Sequence, residues 1–372
     1  MAELSRDHLQ GLRVAVTGAS GNVGTALLRR LTDPGRGVAE VRALARRQPP
    51  DIAPYDAVQW HLADLGETRS EHVLTPFLDG VDAVVHLAWA IQPGRQADRL
   101  HRVNVEGTRR VARAAAAAGV AQFVHLSSLG AYAPGAGGQK VTEDWPTTGI
   151  PSSQYSRDKS EAERVVRELL GRRQATTLTV VRPTLVLQPE AASEIGRYFL
   201  GPLLFGAARA LPDAVARLLP LPLPSVHVGF IHADDVADAL ERMLDRRAPG
   251  PFNLSAEPVL DADAIARALG TFRVPVPAFA LRTALQAAFT GRLVPTEPGW
   301  LDIGTQAPAL DTTRARRLLD WTPVHRGDEV LAQFVAALGR GEGAPGPLLT
   351  PSGGPARDPG GDQDDVPGPR AD

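Results

Sequence analysis

The sequence predicts an α/β fold with a doubly wound parallel sheet. Three observations predict it. Short apolar runs alternate with segments of helical period through the first half of the chain. A glycine-rich turn, Thr17–Gly24, joins the first such run to the first helical one. The second half loses this rhythm and becomes rich in Leu, Pro and Gly, which suggests a small lobe added to the sheet.

Taken in order, residues 12–17 read as a buried strand. Residues 22–31 read as a helix, with Leu27, Leu28 and Leu31 on one face. Residues 38–45, 58–63 and 83–87 are the next strands. Residues 95–118 form one long alanine-rich helix stopped by Gly119. A fifth strand at 122–127, a helix at 155–170 and a strand at 177–181 complete the βαβ series. Farther on, 228–231 reads as a strand, 234–244 as a helix capped by its own aspartates, and 251–254 as a short strand.

This divides the chain into a nucleotide-binding domain at 11–183, to which 226–255 returns, and a discontinuous substrate lobe at 184–225 and 256–339. Residues 340–372 are rich in Pro, Gly and Asp, with too few apolar groups to offset ordering entropy, and are expected to be disordered.

The 372 residues are 43% hydrophobic and 22% charged, with a formal net charge of -2. Nothing here draws the chain to nucleic acid or an anionic membrane. It has no cysteine, so disulfides, thiolate chemistry and cysteine-held metals are excluded. The N-terminal ten residues lack the apolar core of a secretory signal. The most apolar stretch, 198–224, is broken by Arg209, Asp213, Arg217 and several prolines. It makes a poor transmembrane helix. Residues 195–219 read as a lid over a substrate pocket, with a membrane-facing amphipathic helix as the alternative. A cytoplasmic setting follows as the expectation.

In the Thr17–Gly24 turn, Gly18 permits a tight bend, Gly21 admits a phosphate to the backbone, and Gly24 lets helix and strand pack closely. Ser20, Asn22 and Val23 complete the loop, and the free amides of the helix N-terminus attract an anion. This is the dinucleotide site of a Rossmann sheet. Its spacing is Gly-x-x-Gly-x-x-Gly. About twenty positions on, where a carboxylate would bind the ribose diol of NAD, stand Arg46 and Arg47. An arginine fork suits a 2′-phosphate, which favours NADP, with NAD as the alternative and solvated surface charges as the bland one.

Tyr155 and Lys159 stand at i and i+4 on a helix and so share a face. A free phenol titrates near pH ~10. A neighbouring ammonium favours the phenolate, which then exchanges a proton with an alcohol or carbonyl as hydride moves. Ser128 follows the fifth strand, where sheets of this kind gather their ligands, and could hydrogen-bond the reacting oxygen. Ordinary strand-end capping is the other reading of Ser127 and Ser128.

Together these segments resemble the extended short-chain dehydrogenases/reductases, the NAD-dependent epimerase/dehydratase family, from Val14 to about Pro323. Further matches are His61–Leu65, His86–Trp89, Asn104-Val105-Glu106-Gly107-Thr108, Tyr132, Val181-Arg182-Pro183 and Phe230–Ala237. The resemblance implies that Asp64 and Leu65 meet the adenine and that Leu87, Ala88 and Trp89 line the dinucleotide. It also implies that Asn104 organises the neighbouring helix, that Pro183 borders the nicotinamide, and that Ser128 is the catalytic serine. Asp64 reads equally well as a cap.

Two departures stand out. Trp89 replaces a small residue, and the basic segment of sugar-nucleotide members is here Leu219–Ser225. The first reshapes the pocket beside the pyrophosphate. The second weakens the case for a nucleotide-diphosphate sugar and favours an apolar or carbonyl substrate. No histidine set has metal-ligand spacing. Residues 142–144 read as a loop turn. The expected function is hydride transfer between NAD(P) and a hydroxyl or carbonyl of a small organic or sugar substrate, with net redox or with epimerisation. The alternative is a catalytically silent NAD(P)-binding regulator or scaffold. The 95–118 and 155–170 helices suit a homodimer seam.

Overall fold

A computed structural model describes residues 9–91, 95–172, 175–199, 219–344, 346 and 349. Seven parallel strands form the central sheet: β1 (Arg13–Thr17), β2 (Glu40–Ala45), β3 (Gln59–Leu62), β4 (Ala83–His86), β5 (Gln122–Leu126), β6 (Thr177–Pro183) and β7 (Gly250–Leu254). Their order is β3-β2-β1-β4-β5-β6-β7. The chain reverses its direction of build between β1 and β4, where sheets of this type open a crevice for a ligand.

Helices cover both faces. On one, α1 (Asn22–Leu31) packs with α6 (Ala233–Asp245), joining Leu27, Leu28, Leu240 and Leu244 to Val14, Val16 and Val85 of the sheet. On the other lie α2 (Ser70–Leu78), α4 (Gly107–Ala117) and α5 (Gln154–Leu170), whose Phe77, Val111 and Val166 meet Val84 and Phe123. Strand residues alternate between the two cores, as a sheet buried on both faces requires.

The sequence reading needs correction in several places. The expected single helix at 95–118 is α3 (Ala97–His101), a π turn (Arg102–Glu106) and α4. The strand expected at 228–231 breaks at Gly229, where a Cβ would lie 2.7 Å from Thr184 Cγ2. His227–Val228 then pairs with Leu260–Asp261, and Phe230–His232 with Leu185–Leu187. Helix α6 is not capped by its aspartates. The Asp234 amide donates to His232 Nδ1 at 3.2 Å, while Asp235 accepts the amides of Val324 and His325. A proline inside α2, Pro76, hid that helix from the sequence reading.

Beyond the sheet, small two-stranded pairings tie the chain together, including Leu221–Leu223 with Arg273–Pro275 and Ala309–Leu310 with Lys140–Val141. Ala315, Leu319 and Trp321, expected in the lobe, pack into the core under α1 and α6. Residues 192–199 are helical, and the rest of the expected lid, 200–218, lies outside the described residues. The last helix, Gly327–Arg340, passes the boundary drawn for the tail. Ala344 and Leu349 are buried with Ala191, so packing continues beyond 340. Residues 350–372 lie outside the described residues. No described helix is long and apolar enough to cross a membrane.

Candidate active site

The glycine-rich turn sits at the β1/β4 switch point. Gly18 has φ +70°, and a Cβ there would lie 2.6 Å from the Ala88 amide nitrogen and 2.7 Å from its Cα. The residue thus serves a close approach to the end of β4 as well as a tight bend. Gly24 packs on the backbone of Gly18 and Ala19, where a Cβ would clash. Gly21 begins α1 with extended backbone and no side-chain cap, which leaves first-turn amides for an anion.

Ser20 is buried in the turn, and Val23 lies in the apolar core beneath it. The Asn22 side chain donates to the Val186 carbonyl at 3.0 Å, and its buried Oδ1 has no partner among the described residues. Leu87 and Ala88 bond through their amides to Thr17. These features fit the pyrophosphate of a dinucleotide.

The flanking positions differ in character. Arg46 and Arg47 are exposed at the end of β2. Asp64 accepts the Gly66 amide at 2.8 Å, so it caps a turn. Leu65 is buried in the core and packed against Gly107. Asn104 lies in the π turn and binds both backbone groups of Ala90, accepting at 2.7 Å and donating at 3.0 Å. It thereby fixes the loop that carries Trp89. Pro183 ends β6 beside Leu254.

Ser128, Tyr155 and Lys159 come together beyond β5. Ser153 caps α5 by accepting the Ser156 amide, which sets the start of the helix and places Tyr155 and Lys159 on its inner face. Ser128 Oγ accepts the Gly130 amide at 3.1 Å, and the Tyr155 ring edge lies against the same glycine. Burial pushes the Tyr155 phenol up to about 12, against the opposing pull of the Ser128 hydroxyl. At neutral pH it is a proton donor.

Lys159 is buried, donates to the Leu126 carbonyl at 3.0 Å and lies 3.5 Å from the centroid of the Trp89 ring. Burial brings its ammonium down to about 7, despite Glu163 and Asp158. The ammonium stands 5.9 Å from the Tyr155 ring centroid, so its influence on the phenol in this state is modest.

Beneath the site lies a buried polar network. Arg182 donates two hydrogen bonds to Glu163, at 2.8 and 2.9 Å, and a third to the Tyr132 hydroxyl at 2.7 Å. Tyr132 donates to Asn253 at 2.7 Å, and Ser127 donates to Glu163 at 2.6 Å. Ser127 and Tyr132 thus belong to the scaffold that joins β5, α5, β6 and β7. Glu143, in the expected loop turn, accepts the Asn253 amide at 2.9 Å. His86 shares hydrogen bonds with Thr17 and Thr108, and burial keeps it and His125 neutral. The described residues hold no metal-binding cluster.

Sequence reasoning missed two features. Trp300 packs its ring 4.6 Å from that of Tyr155, and the Glu297 carboxyl faces the amides of Gln154 and Tyr155. Glu194 is a buried acid that accepts the Tyr198 hydroxyl at 2.7 Å and lies within electrostatic reach of Arg46. Burial pushes its carboxyl up to about 7. Both acids come from segments remote in sequence, and no local spacing points to either.

Comparison with known proteins accords with this architecture. The model of the NAD dependent epimerase/dehydratase family matches residues 14–255. The chain is 30% identical to dTDP-6-deoxy-L-talose 4-dehydrogenase (NAD(P)(+)) of Kitasatospora kifunensis, over 86% of this chain and 93% of that one. It is 35% identical to sterol demethylase protein B of Methylococcus capsulatus, over 55% of this chain and 61% of that one, so it spans under two thirds of that relative. A short-chain dehydrogenase/reductase superfamily protein from Agrobacterium tumefaciens with bound NAD superposes with a TM-score of 0.63 at 25% identity, covering 87% of this chain and 96% of that one. The chain therefore belongs to the NAD-dependent epimerase/dehydratase family of extended short-chain dehydrogenases/reductases and is an NAD(P)-dependent enzyme.

Proposed function

We propose that this enzyme reduces a carbonyl, or oxidises the matching alcohol, on a small organic substrate, with Ser128, Tyr155 and Lys159 as its catalytic group. The observation that carries this reading is the convergence of Ser128 Oγ and the Tyr155 ring beside Gly130, one turn of α5 from a buried Lys159. The nicotinamide supplies or accepts the hydride at its ring carbon. Ser128 and Tyr155 hold the substrate oxygen by hydrogen bonds. In the reducing direction the Tyr155 hydroxyl gives its proton to that oxygen, and the phenolate left behind is favoured by a charged Lys159. In the oxidising direction the same proton returns to Tyr155.

Gly18, Ser20, Gly21, Asn22, Val23 and Gly24 hold the pyrophosphate in this reading. Asp64 and Leu65 lie toward the adenine, and Leu87, Ala88, Trp89, Asn104 and Pro183 line the rest of the dinucleotide. The cofactor is NADP(H) in this proposal. Arg46 has no acid beside it in sequence, and Glu194 within its reach is held toward its neutral form, which spares a 2′-phosphate from repulsion. The setting is cytoplasmic, and α4 and α5 supply a homodimer seam.

Tyr155→Phe should lower turnover by roughly 10²–10⁴-fold while NADPH binding is retained. Unchanged turnover would remove the catalytic assignment and favour the regulatory reading. Arg46→Ala should weaken NADP binding and spare NAD, as titration of both cofactors would show.

A further inference from the structure

Hydride chemistry makes no use of Trp300, yet a short segment holds this ring firmly against the reacting tyrosine. The Glu297 carboxyl faces the first-turn amides of Gln154 and Tyr155 at the N-terminus of α5. Gly299 approaches the same turn so closely that a Cβ there would lie 2.8 Å from Ser153 Cα. The Trp300 ring then lies 4.6 Å from the Tyr155 ring at 39°, with Phe199 edge-on behind it at 5.0 Å. From another direction Trp89 meets Tyr155 edge-on at 6.0 Å, with its loop fixed by Asn104. The phenol is therefore bracketed by two indoles, each seated by backbone contacts.

We propose that Trp300 is the specificity-determining wall of the slot at the Tyr155 hydroxyl, with Trp89 closing the slot on the side where it borders the dinucleotide and Lys159, and that this slot takes a flat, uncharged ring bearing a ketone or secondary alcohol. The inference deepens the function proposed above and rests on it. Indole faces favour apolar area and stacked rings. They give nothing to a phosphate, and they leave sugar hydroxyls without partners, which costs affinity. Walls fixed in advance also favour a rigid ligand, because a flexible chain loses rotamer freedom on entry.

The test uses the full-length enzyme with NADPH and three probes: α-tetralone, butanone and the nucleotide sugar UDP-glucose. Trp300→Ala should lower kcat/KM for α-tetralone about tenfold, leave NADPH affinity unchanged and alter kcat/KM for butanone less than about threefold. Trp300→Phe should recover most of the loss. Trp300→Leu, which keeps apolar volume without a flat face, should show the same selective loss and serves if the alanine variant does not fold. Equal losses on both ketones, no loss on either, or preferential turnover of UDP-glucose would overturn the proposal. Calorimetry with Tyr155→Phe separates it from the catalytic reading. That variant should bind α-tetralone without turning it over. Absent binding sinks the slot, whereas surviving turnover sinks the catalytic assignment.

Discussion

Around Gly18 the chain is shaped by backbone: a positive φ, a close approach to Ala88, and helix amides left without a side-chain cap. Around Tyr155 it is shaped by side chains drawn from four segments, with Trp89, Ser128, Lys159 and Trp300 gathered about one phenol. The first region makes the same demand of any chain that binds a dinucleotide. The second carries no such backbone demand, and in the proposal above it sets what reaches the hydroxyl. On the proposed function, generic binding rests on backbone geometry, and selectivity on side chains carried by remote loops.

The largest effect should come from the scaffold shared by the two regions. Arg182→Ala leaves Glu163 buried without its bidentate partner and takes a donor from Tyr132. The expected cost is about 3–5 kcal/mol of folding stability, measurable by denaturant titration. A cost below about 1 kcal/mol would mean that Arg167, which also bonds Glu163, carries the charge. Next in size is Gly18→Ala. It combines a positive φ with a Cβ 2.6 Å from backbone nitrogen. The expected loss is about 2 kcal/mol, together with weaker NADPH binding. If stability falls and binding does not, the backbone account of the loop fails.

At the tyrosine pocket, Glu297→Ala removes the carboxyl that faces the first-turn amides of α5. About 1 kcal/mol is expected from the lost cap. Turnover should fall further than stability implies, because the helix end that carries Tyr155 loosens.

This contrast also explains what was legible in the sequence. Glycine spacing, strand runs and the Tyr155/Lys159 interval are local signals, so the parallel sheet, its first helix and the candidate site residues could be read from them. Helix α2 was missed because Pro76 interrupts its pattern. The His232 cap was missed because Asp234 and Asp235 are the stronger local signal for that role. Glu297 and Trp300 were unreadable for another reason. Their value comes from contact with a helix more than a hundred residues earlier, and nothing in Thr-Glu-Pro-Gly-Trp announces that partner. Glu194 is hidden in the same way, since its relation to Arg46 exists only in three dimensions.

The smallest effect tests whether the two regions respond to the cofactor separately. Lys159 is brought down to about 7 by burial, so the folded protein has lost a proton that the unfolded chain keeps up to about pH 10. Unfolding binds more protons in that window, and stability should rise with pH across it. An anionic dinucleotide beside Lys159 favours its charged form. NADPH binding should then take up close to one proton at about pH 8 and almost none at about pH 6, where Lys159 is already charged. Calorimetry in two buffers of different ionisation enthalpy measures this directly. Glu194 offers a competing source, because its carboxyl is raised to about 7 and a 2′-phosphate near Arg46 would favour its protonation. Lys159→Met should abolish the uptake, and Glu194→Gln should leave most of it. The reverse outcome would move the pH dependence from the tyrosine pocket to the loop side and assign it to the acid beside Arg46.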